Sequence, residues 1–436
     1  MTLCASLLFA RSLVFPRADR KSPARRSLFG AMLCIGLSIV PLIVVVSVAN
    51  GMIEGMTGRI IGLSSGHLQA YVAPSIPEVA SADNFSDYAA GLLEIDGITQ
   101  VYPQVELSAL AVGKSARSGI EIRAMQRDVF ARNPAFRTFF SVQEGSLDDF
   151  ISGDGSSRAA VIGQKLAADL DLHAGDDFRI ISTRRLNGKI SPRLTTFRVC
   201  AVITSGYQEL DQFWVFIPIE TAYSALSLES ASYGILVDTE DAFSATLPRL
   251  QFEARGYFGR YANVYRWDEI HSAQFENFSS TKVMLVLVML LIVLVASVNI
   301  SSAIIMLVME RRREIAILKS IGASPRGVTL SFLIAALACA CGGIVLALPL
   351  GLVLSVNADR IIRFIEAAAN FLLHFFSAKE IILLDPAYYL SEIPVDLPSG
   401  QIILIVIATL VLSLIVSYIP AKRAGREKPM EILRAL

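Results

Sequence analysis

The sequence predicts an integral membrane α-helical protein with four transmembrane helices and a large mixed α/β domain outside the bilayer. The chain has 436 residues, 53% of them hydrophobic, and its apolar residues gather in four stretches that contain no Asp, Glu, Lys or Arg. Between the first two stretches lie about 230 residues, enough for a domain with its own core. These two observations define the predicted architecture.

Each charge-free stretch is long enough to cross a lipid bilayer as a helix, because a hydrocarbon core of about 30 Å needs about 20 helical residues. A charge at the centre of a span would cost about 2.5–3.5 kcal/mol on insertion scales. The predicted spans are residues 27–53, 283–309, 327–358 and 398–421. The first apolar run is about twice the length of a signal-peptide core and lacks a small-residue cleavage site, so we expect an uncleaved anchor.

The charges between the spans predict their orientation. The segments 1–26, 310–326 and 422–436 are rich in Lys and Arg, whereas 359–397 has more acidic than basic residues. The positive-inside rule then places both termini and 310–326 in the cytoplasm. We therefore expect the domain 54–282 and the loop 359–397 on the outer side.

The domain 54–282 shows a mixed strand and helix pattern. We predict helices at 87–95 and 164–170, and strands at 67–72, 98–102, 118–125, 159–162, 177–182, 195–203, 213–218, 234–237 and 263–266. Cys200 is the one cysteine of this segment. No disulfide can form within it, so the hydrophobic core must hold the domain together.

A basic connector joins two of these strands. It runs from Thr183 to Arg193, and its Asn-Gly pair at 187–188 predicts a hairpin turn. It is either a solvated hairpin tip or a docking arm for a soluble partner. The candidate docking residues are Arg184, Arg185, Asn187, Lys189 and Arg193.

The stretch from Glu310 to Pro325 predicts a short amphipathic helix between the second and third spans. Ile315, Leu318 and Ile321 recur at i, i+3 and i+6, and Gly322 and Pro325 then predict its end. Such a helix can lie in lipid headgroups or dock into a groove on a partner protein.

The sequence lacks the motifs that are typical of several classes of function. The chain has no G-x-x-x-x-G-K-[ST] phosphate loop, no G-x-S-x-G elbow, no paired metal-ligand spacing and no basic domain suited to nucleic acid. The spans carry no charge of the kind that ion carriers use. An enzyme and an ion-coupled transporter are both disfavoured.

Four motifs carry a resemblance to a known family. They are V-S-V-A-N-G-M at 46–52 with R-I-I-G-L-S at 59–64, the 310–325 stretch, D-P-A-Y-Y-L at 385–390, and P-A-K-R-A at 420–424 with P-M-E-I-L-R at 429–434. In this order they resemble the FtsX/MacB-type ABC transporter permeases, and within them the lipoprotein-releasing LolC and LolE permeases. The connector 183–193 lacks the aromatic-Pro-Met character of the LolC-type hook.

The resemblance implies a MacB-like outer domain with porter and Sabre-type subdomains. It also implies an inner-membrane complex of two permease subunits, homologous or identical, on two cytoplasmic LolD-like ATPases that bind ATP and Mg. No cofactor is expected in this chain. The substrate would be a lipoprotein, and a LolA-like periplasmic carrier is a further candidate partner.

The same resemblance assigns candidate contact residues. For the ATPase we expect a surface of Glu310, Arg312, Glu314, Ile315, Leu318, Lys319, Ile321 and Gly322, in which the isoleucines and the leucine fill a groove. For the lipid anchor we expect Val44, Val48, Met52, Ile53, Met56, Phe275, Phe278, Met284 and Leu287. Exposing an acyl chain of about 16 carbons to water costs on the order of 12 kcal/mol, so extraction needs an apolar surface.

Two other functions remain open. A MacB-like exporter or FtsX-like regulator would transmit force to outer partners without binding lipid. A membrane scaffold would have no transport cycle.

Overall fold

The computed structural model describes residues 23–152, 158–186, 189–375, 394–397 and 399–426. These residues fall into two compact units. One, the sheet unit, is Ile53–Asn277. The other, the helical unit, holds the described residues before Ile53 and those from Phe278 onward, including 394–397.

A long helix leads from the helical unit into the sheet unit. Helix α1 is Pro23–Arg59, and a π-helical turn, Ile60–Ser65, follows it directly. Gly66 ends this turn with a φ of 61°, in the region that favours glycine. The chain then enters the first strand.

The sheet unit is built on one mixed ten-stranded sheet. The strands are β1 Leu68–Val72, β2 Ile98–Val112, β3 Arg117–Met125, β4 Ser141–Gly145, β5 Ala159–Gly163, β6 Asp177–Leu186, β7 Lys189–Thr204, β8 Trp214–Pro218, β9 Ser232–Thr239 and β10 Ala262–Arg266. Their order is β10-β1-β9-β2-β3-β8-β5-β7-β4, and β6 pairs with β2 and β7. The β3–β8 and β5–β7 pairs are parallel and the other pairs are antiparallel.

Short helices cover this sheet. They are α2 Ala82–Ala90, α3 Val129–Arg132, α4 Pro134–Phe139, α5 Asp148–Ser152, α6 Gln164–Leu170, α7 Gln208–Asp211, α8 Ile219–Ala225, α9 Leu247–Phe258 and α10 Trp267–Ile270. The described part of the unit also has three 3₁₀ turns, Pro77–Ala80, Gly91–Glu94 and Gly259–Tyr261.

Alternation along the strands gives the sheet two apolar faces. Val215 and Ile217 of β8 pack in one core, and Trp214 and Phe216 pack in a second core. The first core is covered by α2 and α9, and the second by α3, α4, α5 and Leu63 of the π-helical turn. Because successive strand side chains point to opposite faces, one sheet supports both cores.

Cys200 lies in the second core. Its side chain is buried, and its Sγ donates a hydrogen bond to the Ala160 carbonyl at 3.3 Å. Burial raises the pKa of this thiol to about 12. Hydrophobic packing, as expected, surrounds the single cysteine of the segment 54–282.

The helical unit contains α11 Ser272–Glu310 (from Phe278), α12 Arg312–Ser320, α13 Pro325–Val356, α14 Ala358–Phe375 and α15 Ser399–Arg426, with α1 up to Met52. Among the described residues, four helices (α1, α11, α13 and α15) are long and apolar enough to cross a membrane. Glycines let α1 and α13 approach closely: a Cβ at Gly343 would lie 2.9 Å from the Ile35 Cβ and 2.9 Å from the Met32 carbonyl oxygen. Small residues at helix contacts are typical of membrane bundles.

The predicted fold class is confirmed, with local differences. β2 continues to Val112, well past the expected end at residue 102, and the strand β4 and helix α9 were not predicted. The expected outer loop 359–397 contains α14, an 18-residue helix. The basic N-terminal segment before residue 23, the hairpin tip at Asn187, and the motifs at 385–390 and 429–434 lie outside the described residues.

Candidate functional site

The segment between α11 and α13 forms the short helix that the sequence predicts. After α12 ends at Ser320, Gly322 has a φ of 104° and breaks the helix. The Ser324 side chain accepts a hydrogen bond from the Gly327 backbone N–H at 3.2 Å and so caps α13, in which Pro325 is the first residue. Serine at the cap and proline in the first turn are the expected start of a helix.

The apolar stripe predicted on α12 does not form one open surface. Ile315 has 0% of its surface exposed and lies in a core with Ile304, Val328, Phe332 and Ala424. That core takes residues from α1, α11, α13 and α15, so one face of α12 is used for packing within the unit. The expectation that Ile315 fills a groove on a partner is therefore wrong.

Other residues form the exposed side of the α12 segment. Ile317 is 45% exposed and Ile321 is 81% exposed. Two residues correspond to about 200° around a helix, so Ile317 lies on nearly the opposite face from Ile315. We call Ile317 and Ile321, with the exposed Glu310, Arg313 and Glu314, the coupling surface. Ile317 was missed in the sequence because the i, i+3, i+6 pattern excluded it.

The remaining predicted coupling residues have different surroundings. Lys319 donates a hydrogen bond from Nζ to the Gly425 carbonyl at 2.9 Å, near the end of α15. A lysine at this position suits the negative end of the helix dipole. Leu318 is half-buried, whereas Arg312 and Gly322 are exposed. Lys319 therefore fixes α12 to α15, a role that the sequence did not indicate.

The first-span motif has a packing role in the helical unit. Asn50 donates from Nδ2 to Oε1 of Gln401 in α15 at 2.7 Å. A Cβ at Gly51 would overlap the carbonyl oxygen of Pro394. Asn-Gly at 50–51 thus combines an interhelical hydrogen bond with a close backbone approach.

An apolar face of α11 is exposed in the helical unit. Met284 and Leu287, with Val283, Ser279 and Ser280, line a depression of about 420 Å³. All five residues belong to this one helix, so the depression is an open surface. Leu290, Leu291 and Leu294 extend the exposed apolar face along α11.

The other predicted lipid contacts are less open. Val44, Val48, Ile53 and Phe278 are half-buried. In the sheet unit, the Phe275 ring meets the Trp267 ring edge to face, with centroids 4.7 Å apart.

Met52 and Met56 are buried, so the prediction that they offer an open lipid-contact surface is wrong. With Ile60 and Leu63, which are also buried, they recur at helical spacing. The side chains at this spacing are therefore covered and not open to lipid.

The basic connector is part of a long hairpin. β6 and β7 pair as far as Leu186 and Lys189, so the segment predicted as a connector is itself strand. Arg184 and Arg193 line a groove of about 430 Å³ with Ser191, Pro192 and residues Leu226 and Ser227. Arg185 belongs to the same hairpin.

A buried arginine in the sheet unit was missed. Arg123 of β3 is 3% exposed, and its Nη1 donates to the Leu63 carbonyl at 2.8 Å. Its Nη2 donates to the Ser64 carbonyl at 3.3 Å and to Glu106 at 3.2 Å, and its Nε donates to Glu121 at 2.9 Å. The carbonyls belong to the π-helical turn, whose last carbonyls need partners outside the helix. Arg123 therefore clamps the continuation of α1 onto the sheet.

The surroundings of Arg123 are polar and partly enclosed. The guanidinium also stacks 4.4 Å from the ring centroid of Trp214. Burial raises the pKa of Glu106, and Arg123 opposes that shift. Burial and the nearby Arg123 lower the pKa of His271, which lines the same cavity of about 350 Å³. The available sequence signal was a pair of opposite charges, Glu121 and Arg123, two residues apart in the strand 118–125 and so on one face of the sheet.

Comparisons with known proteins agree with this architecture. Residues 28–254 match the family model of the MacB-like periplasmic core domain, and residues 286–429 match the FtsX-like permease C-terminal domain. The chain is 26% identical over 412 residues to the lipoprotein-releasing system transmembrane protein LolC of Neisseria meningitidis, covering 92% of each chain. It is 23% identical to LolE of Haemophilus influenzae, covering 96% of this chain and 97% of that protein.

Two further similarities cover smaller parts. The macrolide export ATP-binding/permease protein MacB of Bdellovibrio bacteriovorus is 25% identical over 57% of this chain and 38% of its own length. The periplasmic region of MacB from Actinobacillus actinomycetemcomitans, a solved structure, matches with 16% identity and a TM-score of 0.32, covering 50% of this chain and 95% of that chain. From the matched family models and the LolC and LolE relatives, this chain belongs to the MacB/FtsX-type permeases, as a membrane permease of the LolC/LolE type with a periplasmic core domain.

Proposed function

We propose that this chain is the permease subunit of an ABC transporter that extracts lipoproteins from the outer leaflet of the inner membrane and releases them toward a periplasmic carrier. The observation that carries the proposal is the similarity to LolC and LolE, proteins of the lipoprotein-releasing system, along more than nine-tenths of both chains. Both family domains also occur in the expected order.

The energy for release would come from a separate cytoplasmic ATPase of the LolD type. The sequence has no phosphate-binding loop, so ATP and Mg would be bound by that partner. The basic flanks of the spans favour cytoplasmic termini and a cytoplasmic α12. Ile317 and Ile321 are exposed isoleucines on this short segment, and apolar residues ringed by charges suit a protein groove.

The exposed apolar face of α11 supports a lipid-anchored substrate. An acyl chain leaving the bilayer must keep contact with apolar surface, because each exposed CH₂ costs about 0.8 kcal/mol. Met284 and Leu287 offer such a surface, and methionine adapts to variable apolar shapes. In this mechanism, ATP binding draws the α12 helices of two permease subunits together. This movement closes the space between α1 and α11 and drives the lipid anchor out of the bilayer.

Further partners belong to the same proposal. A second permease subunit, homologous or identical, would complete the pair on two ATPases. The β6–β7 hairpin, with Arg184 and Arg193 beside its groove, is the candidate docking arm for a LolA-like carrier.

The coupling surface is tested by the double variant Ile317→Asp with Ile321→Asp in the chain co-expressed with its ATPase. We expect the ATPase to be lost on affinity purification, while the melting temperature of the chain stays within about 2 °C of the parent, because exposed positions contribute little to folding. The matched control, Ile317→Leu with Ile321→Leu, keeps the apolar surface and should retain the ATPase.

Ile315→Asp serves as the contrasting variant. It places a charge in the core of the helical unit and should lower the melting temperature. Retention of the ATPase by the Ile317/Ile321 aspartate variant would reject the coupling surface.

A further inference from the structure

Helix α14 is strongly amphipathic. At about 100° per residue, its polar positions fall on one side of the helix, within an arc of about 120°. These polar positions are Asp359, Arg360, Arg363, Glu366, Asn370 and His374. The rest of the circumference is apolar and includes three phenylalanines, Phe364, Phe371 and Phe375.

Exposure differs among the residues of that apolar arc. Ala358 is buried, and Ile361 and Ile362 are half-buried. Four large side chains of the same arc are exposed within the described structure: Phe364 73%, Ile365 51%, Phe371 68% and Leu372 62%. We call these four residues the α14 apolar surface.

The position of α14 along the chain fixes its height at the membrane. It begins one residue after α13, a helix that is apolar enough to cross a bilayer. Asn357 links the two: its Nδ2 donates to the Val353 carbonyl at 2.8 Å, and its own carbonyl accepts from the Ile361 N–H at 3.0 Å. α12 precedes the other end of α13, so α14 lies at the membrane boundary on the side opposite the coupling surface.

The charges on the polar face favour lipid over a charged protein partner. Asp359 and Glu366 balance Arg360 and Arg363, and with His374 neutral at pH 7 the face has no net charge. The Nε of Arg363 also pairs with Asp359 at 2.8 Å. A bilayer necessarily lies beside the end of a transmembrane span, and it requires no matching charge.

We propose that α14 lies along the membrane surface, with Phe364, Ile365, Phe371 and Leu372 inserted at the boundary between headgroups and acyl chains. Interfacial helices bury such an apolar face by about 5–10 Å into this boundary. The helix then holds the end of α13 at a fixed depth. The inference requires only that α13 crosses the bilayer, and it is independent of what the transporter moves.

Photo-crosslinking tests the occupant of this surface. The photoreactive amino acid p-benzoylphenylalanine is placed at Leu372 of the full chain, with its partner subunits, in nanodiscs of phosphatidylcholine. The matched control places it at Arg363, which lies about 180° around the helix from Leu372. We expect at least about fivefold more lipid adduct, measured by mass spectrometry, from Leu372 than from Arg363.

Each other outcome overturns the proposal. A protein adduct at Leu372, from a second permease chain or another subunit, would show that the surface is a protein interface. Equal lipid yields at the two positions, or none at Leu372, would show that the helix does not lie in the boundary. A second probe at Phe364 repeats the test in case the Leu372 variant does not assemble.

Lipid composition provides a separate readout. Because the polar face carries no net charge, replacing part of the phosphatidylcholine by phosphatidylglycerol should leave the adduct yield at Leu372 unchanged. A severalfold rise with the anionic lipid would contradict the neutral insertion proposed here, since it would require a basic face.

Discussion

At the scale of single residues, removal of the Arg123 side chain should destabilise the sheet unit. Replacing it by methionine keeps much of its length but leaves Glu106 buried without its cation. We expect a loss of about 3–5 kcal/mol in the free energy of unfolding, as for other broken buried ion pairs. Denaturant unfolding of the full chain, followed by tryptophan fluorescence, measures it, since Trp214 stacks on Arg123.

Arg123→Lys is the matched control for that prediction. Lysine keeps the charge, but it lacks the planar guanidinium group of arginine. Its single ammonium group cannot bond to the Leu63 and Ser64 carbonyls and to both glutamates at once. We expect an intermediate stability. A methionine variant as stable as the parent would contradict the clamp.

Asp238 should make the sheet unit more stable in mild acid. Burial raises the pKa of its carboxyl from 3.8 to about 6, and the backbone N–H of His67 opposes the shift. The folded chain therefore holds this proton more tightly than the unfolded chain. The resulting stability is complete below pH 3.8 and is lost as the pH rises through about 6.

The variant Asp238→Asn removes this dependence. At about pH 8 it should be more stable than the parent, by at most about 3 kcal/mol, since a pKa unit corresponds to about 1.4 kcal/mol. Below pH 3.8, Asp238 is protonated in both the folded and the unfolded parent chain, so parent and variant should have similar free energies of unfolding. Parallel stability curves for parent and variant across this range would rule out Asp238 as the source.

Sequence spacing located the residues of α12 but not their surroundings. The helix, its glycine break and its charged side follow from 310–325 alone. Which face is covered depends on the core that Ile315 shares with residues of other helices, and single-helix periodicity carries no such information. Arg123 was missed for a related reason: its partners Leu63 and Glu106 lie far from it in the chain.

At the scale of elements, the contact between α1 and α13 depends on glycine. Gly343→Ala should lower the melting temperature of the full chain, because its Cβ would press on Ile35 and on the Met32 carbonyl. A cost of about 1–3 kcal/mol is typical of overpacking. Gly30→Ala in α1 is the control, since nothing lies within 4 Å of the added Cβ among the described residues. Equal melting temperatures for the two variants would reject the close contact.

The strands show where a local sequence pattern is enough to predict an element. Most were predicted because apolar residues alternate along them. β4 was not, since all five of its residues, Ser141–Gly145, are exposed and give no alternation. The predicted end of β2 at residue 102 was too early. Pro103 lacks an N–H to donate, yet β2 continues to pair with its neighbours as far as Val112.

At the scale of the whole molecule, the proposed transport cycle predicts where substrate meets the chain. A photoreactive residue at Met284 should capture the lipid-anchored protein in the assembled transporter. Val345 of α13 is a similarly exposed apolar control, with 68% exposure against 69% for Met284. We expect severalfold more lipoprotein adduct at Met284, because a substrate occupies one surface whereas bulk lipid reaches both. Equal capture would show that α11 contacts lipid only.

The charge-free stretches and their flanks were enough to predict the membrane architecture, because the cost of burying a charge in hydrocarbon is large. α14 was not predicted as a helix. Its acidic and basic residues, Asp359, Arg360, Arg363 and Glu366, end the charge-free stretch and were taken to mark a loop. The charge content of a segment distinguishes a membrane-spanning helix from segments outside the bilayer. It does not distinguish a helix at the membrane surface from a loop.

The buried thiol of Cys200 gives the sheet unit a built-in reporter of its own opening. A thiol with a pKa of about 12 inside an apolar core is nearly inert to alkylating reagents at neutral pH. It becomes reactive when β5 and β7 separate and the hydrogen bond to Ala160 is lost. With the other four cysteines replaced, the rate of maleimide labelling would then rise with the frequency of these openings, read in an intact membrane during turnover.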